Sequence, residues 1–396
     1  MELKISQRMA AMQPSAIREI FKNMTDPSII PFAGGNPSPD AFPVKELENI
    51  SRIAFENKAT TVLQYSVTEG YPPLREAARQ FADSREPGLF HDGDGCIITS
   101  GAQQAIDLAA KCLVDPGEVI LCENPSFIGA LNAFRTCGAR LVGVKMEPDG
   151  LSIEDLKAAI KAEPKARMLY IIPNFQNPTG FTMSLEKRRE VYRICRDAGI
   201  VILEDNPYGD LRFAGTHIPA IKTMDTDGIV CYCGTFSKII APGLRVGYAI
   251  GPAPLLDKMV VAKQCADVHT AVLSQILCCQ FLQSCNVTGH LAAMRKLYKT
   301  KCGLMVQAMK QYMDRAGFVA PEGGFFIWCT LPDRVPVMDF VKAAGEAKVA
   351  VVPGTTFLPD TSAPCNSVRL NFSAPTNQQI TDGIERLGKV LDRFLR

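Results

Sequence analysis

Apolar and polar positions divide the chain into two regimes. From about residue 95 to 250, short β-branched runs alternate with stretches whose apolar residues recur every three or four positions. Ile97–Thr99 reads as a strand end, Ala102–Leu113 as a helix and Asp115-Pro116-Gly117 as a turn. Val119–Cys122, Met168–Ile172, Ile200–Leu203, Ile229–Cys233 and Val246–Ile250 read as further strands. Helices are predicted over Phe127–Cys137 and over Leu185–Ala198, the second stopped by Gly199. Ser152 with Asp155 three positions on resembles a capping box before Leu156–Ile160. Strands interleaved with helices predict an α/β fold whose mainly parallel sheet is covered on both faces.

The tail changes character. A long helical stretch over Gly289–Ala316 precedes Phe318–Leu331, which is hairpin-like around Glu322-Gly323-Gly324. A helix, two short strands (Ala350–Val352 and Val368–Phe372) and a closing helix over Asn377–Phe394 follow. This reads as a smaller α+β domain, joined stiffly because the boundary falls inside the long helix.

Composition narrows the class. Lys and Arg number 43 against 41 Asp and Glu, so no basic surplus invites nucleic acid. No apolar run approaches the length of a membrane span, and the first residues lack the apolar core of a secretory signal. The cysteines are scattered singly, many in apolar runs, and the four histidines lie far apart, which argues against a metal site. Unpaired thiols without a signal point to the cytoplasm.

Chemistry is sought beyond the carboxyl ends of the strands, where open α/β sheets bind ligands. Ile97-Ile98-Thr99 runs into Ser100-Gly101-Ala102-Gln103, small residues opening a helix, where backbone N–H groups can face an anion. Val201-Ile202-Leu203 delivers Glu204 and Asp205, costly at so apolar a strand end unless a cation meets them. A third strand ends in the turn Asn174–Gly180. A fourth ends in Gly234-Thr235-Phe236-Ser237-Lys238, with Arg245 seven positions on. A lysine among hydroxyls at a strand end suits a carbonyl-trapping nucleophile of depressed pKa.

Each piece alone is also compatible with an ordinary turn or a surface ion pair. Together they meet the needs of pyridoxal phosphate. Lys238 is an amine for its aldehyde, and Asp205 a carboxylate for its ring nitrogen. Asn177 and Tyr208 are donors for its ring oxygen, and Phe127 a face for the ring. The Ser100–Gln103 turn with Thr235, Ser237 and Arg245 supplies a phosphate cradle.

With these motifs in hand the chain resembles the fold-type-I pyridoxal-phosphate enzymes, specifically the class I/II aminotransferases. The matching stretches are QYSVTEGYPPLREA from Gln64, TSGAQQA from Thr99, ENPSF from Glu123, NFQNPTG from Asn174, EDNPY from Glu204, GTFSKIIAPGLRVG from Gly234 and VRLNFS from Val368. The resemblance implies a three-layer large domain over residues 46–290 and a small domain over 291–396. It implies that residues 1–45 border the substrate and pack with the small domain. It also implies that Lys238 is the Schiff-base lysine, with Asp205 and Tyr208 completing the catalytic set, and that Arg369 clamps the substrate α-carboxylate beside Asn177. Tyr65 resembles the tyrosine that reaches the phosphate of a neighbouring subunit, which implies a homodimer with shared sites.

Ser15–Ile20 and Phe32–Pro37 resemble the branch of 2-aminoadipate, kynurenine and aromatic aminotransferases. There Gly35 borders the substrate, and Arg18 is a candidate for a distal carboxylate. Asn36 stands where many relatives carry leucine, and Phe127 where Tyr or Trp is usual. The implied activity is amino transfer from such an L-amino acid, or a branched one, to a 2-oxo acid, expected to be 2-oxoglutarate. A lyase or decarboxylase on the same scaffold is the alternative. A ligand-sensing module is disfavoured, because the chain starts almost at the substrate-bordering helix and its net charge offers nucleic acid little.

Overall fold

A computed structural model describes residues 3–10, 12, 26 and 28–396. Its larger sheet has eight strands in the order Asp94–Thr99, Gly247–Pro252, Val230–Thr235, Val201–Asp205, Ala166–Ile171, Val119–Asn124, Arg140–Glu147 and Gly150–Leu151. From Val230–Thr235 through Arg140–Glu147 every neighbouring pair is parallel. Parallel strands are buried on both faces and so need apolar residues in succession. Alternation then sorts them. Met168 and Tyr170 pack with Ala105, Leu131 and Phe134 from helices Ala102–Leu113 and Ile128–Thr136. Leu169 and Ile171 face the other way, onto Leu156, Val191 and Cys195 from helices Ile153–Ala162 and Leu185–Ala198.

The α/β reading holds, and its helices Ala102–Leu113 and Leu185–Ala198 are found to the residue. Strand Gly247–Pro252 departs from the parallel rule by running antiparallel to both neighbours. The reason lies in the connection before it, which carries only the 3-10 turn Pro242–Leu244. A parallel return needs a long crossover, usually a helix.

The second sheet is antiparallel, in the order Gly317–Phe318, Phe326–Thr330, Ser367–Asn371 and Val352–Pro353. The first two form the expected hairpin, and Gly324 supplies a φ of 69° at its turn. Trp328 pairs with Arg369 across the next ladder. Helix Val287–Tyr312 packs along the closing helix Asn377–Leu395, which starts from a full capping box of Thr376 and Gln379. Ile30–Pro31 pairs with Val349–Ala350, tying the start of the chain to this second body.

Candidate active site

Strand periodicity separates the two acids at the end of Val201–Asp205. Glu204 turns to one side and accepts from the backbone N–H of Ile221 (2.9 Å) and Lys222 (2.8 Å), which makes it a fixed anchor. Asp205 turns to the other, into a cavity of about 410 Å³. The same cavity is lined by Lys238, Arg245, Asn177, Tyr208 and Arg369. Four strand ends and the second sheet thus converge on one space.

Asp205 is buried, and its Oδ2 accepts a hydrogen bond from the hydroxyl of fully buried Tyr170 at 2.8 Å. Its Oδ1 has no hydrogen-bond partner among the described residues. Burial is the main cause that raises its pKa to about 7. Lys238 lies across the cavity, its Nζ donating to the Gly35 carbonyl at 3.0 Å. Burial first, then repulsion from Arg245 and Arg369, brings its pKa down to about 8.

Arg369 is a buried guanidinium without a carboxylate partner among the described residues. Nη1 donates to Asn177 Oδ1 (2.9 Å) and Nη2 to the Ala33 carbonyl (2.7 Å), while Nε is unpaired. The rings of Phe326 and Phe357 lie 4.2 and 4.9 Å from its central carbon. Burial lowers its pKa to about 10, still well charged at neutral pH. Tyr208 sits beside Asn177, its phenol pushed up by burial. Asn177 is held by its loop: Gln176 Nε2 donates to Glu123 and to the Pro125 carbonyl, and buried Arg188 grips Asn174 Oδ1 at 2.7 Å.

The anion cradle forms where helix Ala102–Leu113 begins. Its first N–H groups, at Ala102 and Gln103, have no acceptor within the helix. Gly101 has a φ of 79°, and a Cβ there would sit 2.4 Å from Arg245 Nη2. Glycine therefore lets the guanidinium close over the turn. Arg245 Nη1 reaches Ser237 Oγ at 3.4 Å and Nη2 the Ser100 carbonyl at 3.2 Å. The Thr235 hydroxyl receives the Ser237 N–H at 3.1 Å. Phe127 walls the cavity, its ring pressed against Gly129.

Not every expected residue meets this space. Ser100 faces away, its hydroxyl donating to Asp267 Oδ2 at 2.6 Å and its N–H to Gln104 Oε1 at 2.8 Å, so both of its donors are committed behind the turn. Tyr65 is 82 % exposed, edge-on to His269, and does not line the cavity of its own chain. Arg18 lies outside the described residues. Gly35 and Asn36 do line the cavity. Tyr170, Phe326 and Ile106 are neighbours that sequence reasoning missed; only Tyr170, a polar tip in an apolar strand beside the Asp205 strand, offered a signal.

The donor set suits pyridoxal phosphate. A buried carboxylate with a free oxygen asks for a cationic N–H, a cradle of backbone donors with Arg245 asks for a phosphate, and a depressed lysine stands between them.

Comparison with known proteins agrees with that fit. Residues 27–387 match the family model described as aminotransferase class I and II. Aromatic-amino-acid aminotransferase 1 of Thermococcus litoralis is 34 % identical over 100 % of this chain and 95 % of its own. The crystal structure of Pyrococcus horikoshii kynurenine aminotransferase, solved with PMP, superposes with a TM-score of 0.94 at 33 % identity, covering 99 % of this chain and 98 % of its own. That of LysN, the alpha-aminoadipate aminotransferase of Thermus thermophilus complexed with N-(5'-phosphopyridoxyl)-L-leucine, gives 0.90 at 34 % identity, with 99 % and 98 % covered.

Proposed function

Because the chain belongs to the family of class I and II aminotransferases, and is thereby a pyridoxal-phosphate-dependent transaminase, we propose that Lys238, Asp205 and Arg369 carry its chemistry. One observation carries this reading: a single cavity gathers these three side chains, with Asp205 Oδ1 and Arg369 Nε lacking a hydrogen-bond partner among the described residues and the pKa of Lys238 lowered. When bound, pyridoxal phosphate supplies an aldehyde that takes up an amine and a protonated ring that accepts the electrons left by a departing α-proton.

The residues divide the remaining work. Arg369 binds the α-carboxylate of the amino acid through its planar fork, with Asn177 fixing its orientation. Lys238 Nζ would take the α-proton and hand it on to the cofactor carbon that keeps the amine, acting first as base, in the neutral form that its lowered pKa favours, and then as acid. Asp205 would hold a proton at the ring nitrogen, and Asn177 with Tyr208 would face the ring oxygen. Ser237, Arg245, Thr235 and the N–H groups of Ala102 and Gln103 grip the phosphate; Ser100 and Gly101 shape that turn. Phe127 would cover the ring, and Phe326 and Ile106 add apolar wall to the cavity. The 46–290 domain carries the cofactor, while the segments 1–45 and 291–396 meet the substrate through Gly35, Asn36, Phe326 and Arg369. The exposed Tyr65 supports a homodimer in which it completes the neighbour's cradle. Singly buried thiols such as Cys96, Cys122, Cys195 and Cys329 favour the cytoplasm.

We assign the donor to the aromatic, branched or 2-aminoadipate type and the acceptor to 2-oxoglutarate. Ile106, Phe127 and Phe326 suit apolar side chains, while a distal carboxylate needs a further cation, for which Arg18 is the candidate. A panel of donors with 2-oxoglutarate, read by glutamate formation against ammonia and carbon dioxide, tests the assignment; no glutamate from any of them defeats it. Arg18→Gln is expected to raise KM for 2-aminoadipate about tenfold or more, as loss of a charged hydrogen bond does, and to leave KM for phenylalanine within about twofold. Equal changes for both donors would remove Arg18 from side-chain recognition.

Tyr170→Phe tests the support behind Asp205. It keeps the ring and removes the only hydrogen bond to Oδ2 among the described residues, so kcat should fall about tenfold with little change in donor KM. An unchanged kcat would make that hydrogen bond a purely structural one.

A further inference from the structure

A second cavity, of about 540 Å³, shares no lining residue with the first. It lies between the stretch after Tyr208 and the first half of helix Val287–Tyr312. Five cationic side chains line it, Arg85, Arg212, Arg295, Lys296 and Lys299, together with His217, whose pKa burial and neighbouring arginines lower. Arg295 and Lys299 stand four apart on the helix and so share a face.

The acids present do not balance them. Asp210 Oδ1 meets Arg85 Nε at 2.7 Å, and Glu322 Oε2 meets Arg212 Nη1 at 2.8 Å. Glu86 faces His217 at 3.2 Å, but burial pushes its carboxyl up to about 7, which weakens it as an anion. Arg295 reaches only the Asp210 carbonyl (2.7 Å), and Lys296 and Lys299 have no acid partner among the described residues. Arg212 Nη2 is buried and unpaired among the described residues, its guanidinium lying 4.7 Å over the Phe175 ring. After burial, the next cause lowering the pKa of Arg295 is the positive charge of Arg85. Like charges gathered around a concavity, with a buried donor left over, make a field that attracts a compact anion.

We propose that this basin is a second binding site, for a small phosphate-bearing polyanion with at least two adjacent negative groups. Arginine forks suit phosphate oxygens bidentately and lysines supply point charge around them. The volume is that of a small-molecule pocket, and the chain as a whole carries a net charge of only +2. Both favour a compact ligand over a nucleic acid strand. A bound polyanion would bridge the stretch 209–217 to the long helix.

Calorimetric titration of the cofactor-loaded enzyme, whose first cradle is already filled, tests this with inorganic pyrophosphate and with adenosine triphosphate. One saturable site per chain is expected, with a Kd below about 1 mM that weakens as salt is raised. Tighter binding of the nucleotide would mean that the base and sugar are also held; equal affinities would mean that the phosphates alone are read. The double variant Arg295→Gln, Lys299→Gln should lose at least about tenfold in affinity while keeping normal transaminase turnover. Lys310→Gln, an exposed lysine of the same helix outside the basin, should change nothing. Absence of saturable binding of either ligand, or equal affinity in the double variant and the parent, would overturn the proposal.

Discussion

Lys238→Ala is expected to lower turnover by about 10⁴-fold or more, the upper range for loss of a positioned general base, compounded by loss of the amine itself. The variant should still bind pyridoxal phosphate, because the cradle of Ala102, Gln103, Ser237 and Arg245 does not involve that amine. Borohydride should then fix the cofactor to the parent at Lys238 and to no peptide of the variant. The parent carries a second signature. Its Lys238 is held near a pKa of about 8 in the cofactor-free protein, so only about one tenth is neutral at pH 7 and half at pH 8. Uptake of the cofactor through that amine should therefore accelerate as pH rises, with a midpoint near 8, and level off above about 9. Arg369→Gln removes one of the two positive neighbours that depress Lys238, so the midpoint should move to higher pH. A variant that turns over normally, or an uptake rate flat in pH, would take Lys238 out of the reaction.

Why Lys238 was visible in the sequence, while much around it was not, follows from how far each signal reaches along the chain. The strand ends and their turns are local: Val201–Asp205 announces itself by an apolar run broken by acids, and Gly234–Lys238 by small residues and a lysine. Helices Ala102–Leu113 and Leu185–Ala198 each keep a polar face, which gives a period to read. Helix Val272–Ser284 escaped notice because Ile276, Leu277, Cys278, Cys279 and Phe281 are all buried, and a helix covered on several sides has no polar stripe. The antiparallel sense of Gly247–Pro252 depends on a short connection, not on the strand's own residues. Contacts between distant elements were the least legible. Nothing near Arg369 says that its guanidinium rests on Phe326 and donates to the Ala33 carbonyl, and nothing near Ser100 says that Asp267 claims its hydroxyl. The identity of the chemistry was thus written locally, while its support was written in pairs of elements that only folding brings together.

Asp205→Asn should move stability and activity in opposite directions. In the cofactor-free protein the carboxyl is buried with one oxygen unpaired, and its pKa stands at about 7 against 3.8 for an ordinary aspartate. Between those two values the unfolded chain has released its proton and the folded chain retains it. Wild-type stability in the absence of cofactor therefore falls as pH rises from about 4 to about 7, by at most about 4 kcal/mol. Asparagine carries no charge to bury, although its amide brings a donor that nothing here accepts. A net gain of roughly 1–3 kcal/mol above pH 7 is expected, vanishing below pH 4. Thermal melts of the cofactor-free proteins across that range would show it as a Tm difference that opens with pH. In the loaded enzyme the sign reverses, because an uncharged amide cannot hold the ring nitrogen protonated, and kcat should drop by about 10²–10³-fold. The two effects have one origin: a carboxylate kept in an apolar place at a cost to the empty protein, useful only when a cation is delivered to it. Equal melting temperatures at every pH, or a kcat within about twofold of the parent, would break that link.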